Sequence, residues 1–223
     1  AGVVLYAGSY QNLITVSTPS ASANSATVVL RGFGVPVEFT KKNENGQALA
    51  GAQMSLYKIN SDNSETRIES YTSTGGSKHF DLCPGNYKMV ENTPPVGYYK
   101  SKPVTFTVAK KPNETQYFEM ADAPIKLQIN KISTKDGSAV IGAKLKMTES
   151  RSNAVISEWY TTADDKCFEK EPLVAGASYR ISETEAAQGY YDLADDIWFT
   201  IPEYKPEDSD SNNGFYIVDV GDV

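Results

Sequence analysis

The segment VPVEFTKKNENGQALAGAQMSLYK (35–58) is matched further along the chain by IKLQINKISTKDGSAVIGAKLKM (125–147). Each gives an alternating apolar and polar run, a lysine, a polar turn with glycine, and a Gly-Ala step into a second alternating run. YKMVENTPPVGYY (87–99) likewise returns as YRISETEAAQGYY (179–191), and YFEMADAP (117–124) returns as IVDVGDV (217–223). A strand order written twice, at a period of roughly 90 to 100 residues, constrains the chain to two tandem β-sandwiches. They occupy residues 35–124 and 125–223, with almost no linker between them. Residues 1–34 stand outside the repeat. Their two strand-like runs, NLITVST and ATVVLRGF, flank a Ser-rich turn and are too short for another module. They read either as an extra strand pair on the first module or as the remnant of a preceding domain.

Composition agrees with an all-β chain. A 40% apolar share of 223 residues is enough for two cores, and fourteen Tyr with frequent Gly and Pro turns accompany no sustained helical period. The net charge of -7 and the scattered basic residues argue against a nucleic-acid partner. No run approaches the roughly 20 apolar residues of a membrane span. The opening AGVVLYAG has neither the basic start nor the length of a secretion signal, so any signal or anchor is expected outside this chain. Cys83 and Cys167 lack zinc-site spacing and do not occupy matching positions in the repeats, which favours thiols over a bridge.

Period-2 phasing places charges where apolar residues belong. Lys41 is in phase with Val35, Val37 and Phe39, and Lys131 with Ile125, Leu127 and Ile129. Glu91 shares a face with Tyr87 and Met89, and Glu183 is its twin. Asp122 follows Phe118 and Met120, as Asp222 follows Tyr216, Val218 and Val220. Each module therefore turns one Lys, one Glu and one Asp toward its interior, from its first, a middle and its last strand. Burial raises a carboxyl pKa and lowers that of an amine, so a neutral, nucleophilic lysine facing a protonated acid becomes attainable.

At these residues the chain resembles the B-type repeat of Gram-positive collagen adhesins, the CnaB or SpaA-like pilin domain, over residues 35–223. The resemblance is carried by the lysines before GQALAGA and GSAVIGA, the Glu frames with their trailing Gly-Tyr, and the acid closing each last strand. It implies Ig-like sandwiches arranged end to end and a structural role as a pilin or adhesin stalk subunit at the cell wall or pilus surface. It also implies a spontaneous isopeptide bond, with Lys41 attacking Asp122 while Glu91 polarises the carboxyl and moves protons. Lys131, Asp222 and Glu183 would repeat this. Many members of the family use Asn and release ammonia, whereas Asp releases water. This is single-turnover self-crosslinking that uses no cofactor or metal, not enzymatic turnover. Implied partners are other pilin subunits, or the cell wall through sortase. The alternative is an adhesive module for a host matrix protein or glycan.

Several rivals remain open at this level. Asp219, in phase with Phe215 and Ile217, competes with Asp222 as second acceptor; Lys42 competes with Lys41, and Glu185 shares the phase of Glu183. Asp208, Asp210, Asn212 and Asp219 count like a calcium loop, but Asn213 stands at the glycine position, so a solvated turn is the better reading. His79 has no nucleophile pattern around it. Lys205, in EYKP, gives only a faint sortase-type signal. The trailing Gly-Tyr-Tyr has no assignable catalytic part.

Overall fold

The computed structural model describes residues 34–111, 113–169, 172–190, 195–207 and 214–222, with Asp222 described by its backbone alone. Residues 1–33, and with them the strand pair expected there, lie outside the described residues.

The first module is built from β1 (Val35–Asn43), β2 (Ala50–Ile59), β3 (Glu65–Thr74), β4 (Ser77–Leu82), β5 (Gly85–Thr93), β6 (Val104–Val108) and β7 (Gln116–Asp122). The second repeats it with β8 (Lys126–Ser133), β9 (Lys144–Glu149), β10 (Val155–Tyr160), β11 (Lys166–Glu169), β12 (Ser178–Glu185), β13 (Ile197–Thr200) and β14 (Tyr216–Asp222). No helix occurs among the described residues, and so none is long and apolar enough to cross a membrane.

Each module pairs a three-stranded sheet with a four-stranded one. The orders are β4-β1-β7 and β3-β2-β5-β6 in the first, β11-β8-β14 and β10-β9-β12-β13 in the second. First and last strands are parallel neighbours, a pairing that needs a long crossover and here takes the whole module as its connection. The register sets Lys41 beside Met120 and Asn43 beside Asp122. In the second module it sets Lys131 beside Val220 and Ser133 beside Asp222.

Every second residue of β1 is buried, as the alternation of VPVEFTKKN dictates. Val35, Val37 and Phe39 thus meet Met54, Leu56, Tyr87, Met89 and Phe106 from the facing sheet. In the second module Leu127 and Ile129 meet Leu145, Met147, Tyr179 and Ile181. Full burial of each such side chain contributes roughly 1.5 to 3 kcal/mol. The repeated Gly-Ala step has a backbone cause: Gly51 and Gly142 hold φ of 91° and 92°, a region that side chains with a Cβ rarely enter. The tyrosines opening the Glu frames also act alike. Tyr87 donates its hydroxyl to the Cys83 carbonyl at 2.8 Å, and Tyr179 accepts from the Val174 amide at 2.9 Å, so each pins the loop leading into its strand.

Between the modules lies a strap, residues 94–101, which follows β5 but binds forward. Gly97 donates to the Leu173 carbonyl at 2.7 Å and accepts from Ile125, while Lys100 donates to the Glu203 carbonyl at 2.9 Å. The Tyr99 ring is 1% exposed and belongs to the core of the second module, with Ile125, Leu127 and Leu173. This assigns the trailing Gly-Tyr-Tyr of the first frame a part, as an inter-module anchor. Lys205 pairs across the same junction with Glu44 at 3.7 Å. Cys83 and Cys167 are thiols, half-buried and exposed respectively.

Candidate functional site

In the first module, β1 and β7 are adjacent in one sheet, and β5 lies in the sheet that faces them across a gap of about 10 Å. Lys41 and Asp122 come from the first sheet. Asp122 lies two residues past the Cα partner of Lys41, hence on the same face and within reach of a long side chain. Glu91 reaches in from the opposite sheet, where its Cα partner is Met54. All three are at most 1% exposed.

The Lys41 ammonium touches Asp122 Oδ1 and stands 3.0 Å from Glu91 Oε1. Taking such charges out of water costs several kcal/mol each unless they neutralise one another. Burial pushes the Glu91 carboxyl up to about 7, against the attraction of Lys41 and a hydrogen bond from the Ser101 amide. Asp122 Oδ2 is buried without a hydrogen-bond partner, which is costly for a carboxylate oxygen, whereas Glu91 Oε1 has only its ion pair with Lys41. An amine against one carboxyl, with a second carboxyl poised to carry a proton, is an arrangement suited to condensation.

A residue that sequence reasoning missed completes this cluster. Ser101 donates its backbone N–H to Glu91 Oε2 at 2.8 Å. Its hydroxyl lies 2.5 Å from Asp122 Oδ1, 2.6 Å from the Ala121 carbonyl and 3.3 Å from Lys41 Nζ. Ser101 follows the Gly-Tyr-Tyr in the strap, where strand phasing carries no information, and no signal in the sequence singles it out.

The second module brings together Lys131 and Glu183, whose side chains are 1% and 0% exposed, at 3.1 Å; Lys131 Nζ also lies 3.4 Å from the Gly221 carbonyl. The backbone of Asp222 holds the same register position as that of Asp122, two residues past the Cα partner of the lysine, and its side chain lies outside the described residues.

The rival residues sit elsewhere. Asp219 is exposed, on the side of β14 away from Val218 and Val220, and accepts from Asn130 at 2.8 Å. As an alternative acceptor it therefore drops out, because its face of the strand is the outer one. Lys42 points outward to Glu119 at 2.6 Å. A register shift between Glu183 and Glu185 breaks their common phase, and Glu185 turns out to the surface against Lys144 and Tyr160. His79 lies on the exposed face of β4, 2.9 Å from Glu38, which raises its pKa. Of the calcium-loop count, Asp208, Asp210 and Asn212 lie outside the described residues.

A family model described as SpaA, a prealbumin-like fold domain, matches residues 35–123 and again 125–214. Among solved structures, the chain is similar to the Bacillus anthracis TIE protein, with 21% identity over 86% of this chain and 34% of that one, at a TM-score of 0.43. A Streptococcal ancillary pilin is similar at 16% identity over 87% of this chain and 64% of that one, with a TM-score of 0.42. For the C-terminal fragment of the pilus adhesin SpaC from Lactobacillus rhamnosus GG the values are 16%, 85%, 97% and 0.41. The chain spans about a third of the length of the first of these and just under two thirds of the second. No curated protein matches it.

Proposed function

Because the chain belongs to the SpaA family of prealbumin-like fold domains, we propose that it is a structural stalk segment of a pilin or surface adhesin, with each module closed by a Lys–Asp amide. The bonds are Lys41 to Asp122 and Lys131 to Asp222, with Glu91 and Glu183 moving the protons. The reading places the chain outside a Gram-positive cell, at the wall or pilus, joined to other subunits or to the wall by sortase. One observation carries it: a fully buried Lys41 whose ammonium meets both Glu91 and Asp122, themselves fully buried, the three drawn from the first, a middle and the last strand.

The step balances without any co-reactant. Lys41 passes one proton to the Asp122 carboxylate, and the neutral amine attacks the Asp122 carboxyl carbon. The N–C bond forms, one C–O bond breaks, and Glu91 relays the second amine proton to the departing oxygen, which leaves as water. The amide is neutral, so the buried charges vanish with it.

Intact mass under denaturing, reducing conditions tests the proposal. Two waters below the sequence mass are expected, and the full sequence mass would rule the chemistry out. The pH dependence has a definite sign. Glu91 keeps its proton up to about 7, so below that value it can hand a proton to the departing oxygen as the C–O bond breaks and take the amine proton in exchange. Above it Glu91 must first take the amine proton before it can pass one on. In newly synthesised chain the rate of water loss from the first module is therefore expected to fall as pH rises through about 7. In the unlinked fold the same proton contributes stability that is fully present below the ordinary value of 4.5 and lost as pH rises through about 7.

The stalk reading is preferred to adhesion because the large exposed aromatics are scattered. Tyr160 on β10 and Trp198 on β13 stand on opposite edges of one sheet, Tyr204 lies beside Lys100 at the junction, and Tyr117 belongs to the other module. Spread in this way, these four do not make the contiguous apolar patch that marks a docking surface.

A further inference from the structure

We propose that Ser101 is a fourth participant in the cross-linking centre of the first module, and that it is held in place by the second module. The inference rests on the amide-forming reading and extends it to a residue and a dependence between modules.

Ser101 touches both reacting groups. Its hydroxyl is 2.5 Å from the Asp122 oxygen that meets Lys41, and 3.3 Å from the attacking nitrogen. Its amide holds the other oxygen of Glu91 at 2.8 Å. A serine hydroxyl has one hydrogen, yet two acceptors lie within 2.6 Å of it, the Ala121 carbonyl and Asp122 Oδ1. Both contacts are satisfied when the hydroxyl donates to the Ala121 carbonyl and its oxygen accepts a hydrogen bond from an O–H on Asp122. That is the protonated acid an attacking amine requires. Ser101 thereby orients the Asp122 carboxyl in its reactive form and, through its amide, keeps Glu91 beside it.

The position of Ser101 is not fixed by the first module alone. It ends the strap, which is joined to the second module by Gly97 to Leu173, Lys100 to Glu203 and the Tyr99 ring in that module's core, while the Tyr99 amide donates to Ala123 at the junction. With Ser101 tied to Glu91 at one end and Tyr99 buried two residues earlier, the second module sets where the hydroxyl sits. Docking of the strap then completes the centre, and the first module cross-links efficiently only once the second has folded against it. The sequence does not repeat this serine. Counting ten residues on from the glutamate, as from Glu91 to Ser101, reaches Leu193 after Glu183, which offers no hydroxyl.

The test follows the Lys41–Asp122 linked peptide by mass spectrometry in full chain released by cell-free synthesis and quenched in acid at intervals. Ser101→Ala is expected to slow its appearance by about tenfold or more, the scale of one lost hydrogen bond to a charged group. Ser101→Thr, which keeps the hydroxyl, is expected to restore most of the rate, a rescue that a merely structural role would not give. Tyr99→Ala, which touches none of the reacting groups, is expected to slow the same peptide. Should that variant fail to fold, Leu173→Ala loosens the strap from the other side and must show the same delay. Wild-type rates in Ser101→Ala overturn the role of Ser101, and wild-type rates in both Tyr99→Ala and Leu173→Ala overturn the dependence on the second module. In either case a wild-type chain that forms the peptide leaves the amide reading intact. A wild-type chain that never forms it removes the amide and this inference together.

Discussion

Glu91→Ala is expected to return one water to the intact mass and to leave the first module unlinked, with Lys41 and Asp122 present but unreacted. The carboxyl removed is the one that burial holds protonated up to about 7, and it lies 3.0 Å from the Lys41 ammonium that also meets Asp122. The bond that fails to form would close a loop between residues 81 apart in sequence. By the loop-closure account developed for disulfides, its loss costs about 4 to 5 kcal/mol of stability. The unlinked variant also keeps a buried ion pair that the amide would have abolished, so its unfolding midpoint is expected to drop well below that of the wild type. Thermal unfolding followed by circular dichroism, alongside the mass, checks both parts. A variant that still lacks both waters would mean that Glu91 is not the proton carrier.

Tyr99→Ala is expected to destabilise the second module, although the residue lies in the sequence of the first. Its ring is buried among Ile125, Leu127 and Leu173, and truncating a buried aromatic to alanine costs about 3 to 5 kcal/mol. Hydrogen exchange should report the loss as faster opening of β8 and β9 in the variant than in the wild type. The hydroxyl gives a contrasting control. It is buried without a hydrogen-bond partner, so Tyr99→Phe removes an unsatisfied polar atom and is expected to preserve or raise stability. Unchanged exchange in the second module of Tyr99→Ala would show that the anchor carries no weight.

What was legible in the sequence is what strand geometry makes local. Period-2 phasing turned Lys41, Glu91 and Asp122 inward because each ends a run of buried apolar residues on a regular strand, and the repeat supplied a second copy of the pattern. Phasing failed wherever the strand was irregular. Glu183 and Glu185 looked equivalent until the bulge between them sent one inward and the other to the surface. Asp219 could be set aside only when Val218 and Val220 were seen to take the inner face of β14. Ser101 and Tyr99 were out of reach for a different reason. They lie outside any strand, and their partners are fixed by contacts between distant segments: Ser101 with Asp122, and Tyr99 with the core of the following module.

The parallel pairing of β1 with β7 has a consequence for length. A pull on the chain enters this module at Val35 and leaves past Asp122, and both strands point the same way. The proposed bond from Lys41 to Asp122 would make the stretch between them a closed ring. At about 3.3 to 3.6 Å per residue, some 280 Å of chain could then never be paid out. The segment would behave as a tether of nearly constant contour length. It would transmit a shock undamped and have no slack to rewind once the load is gone.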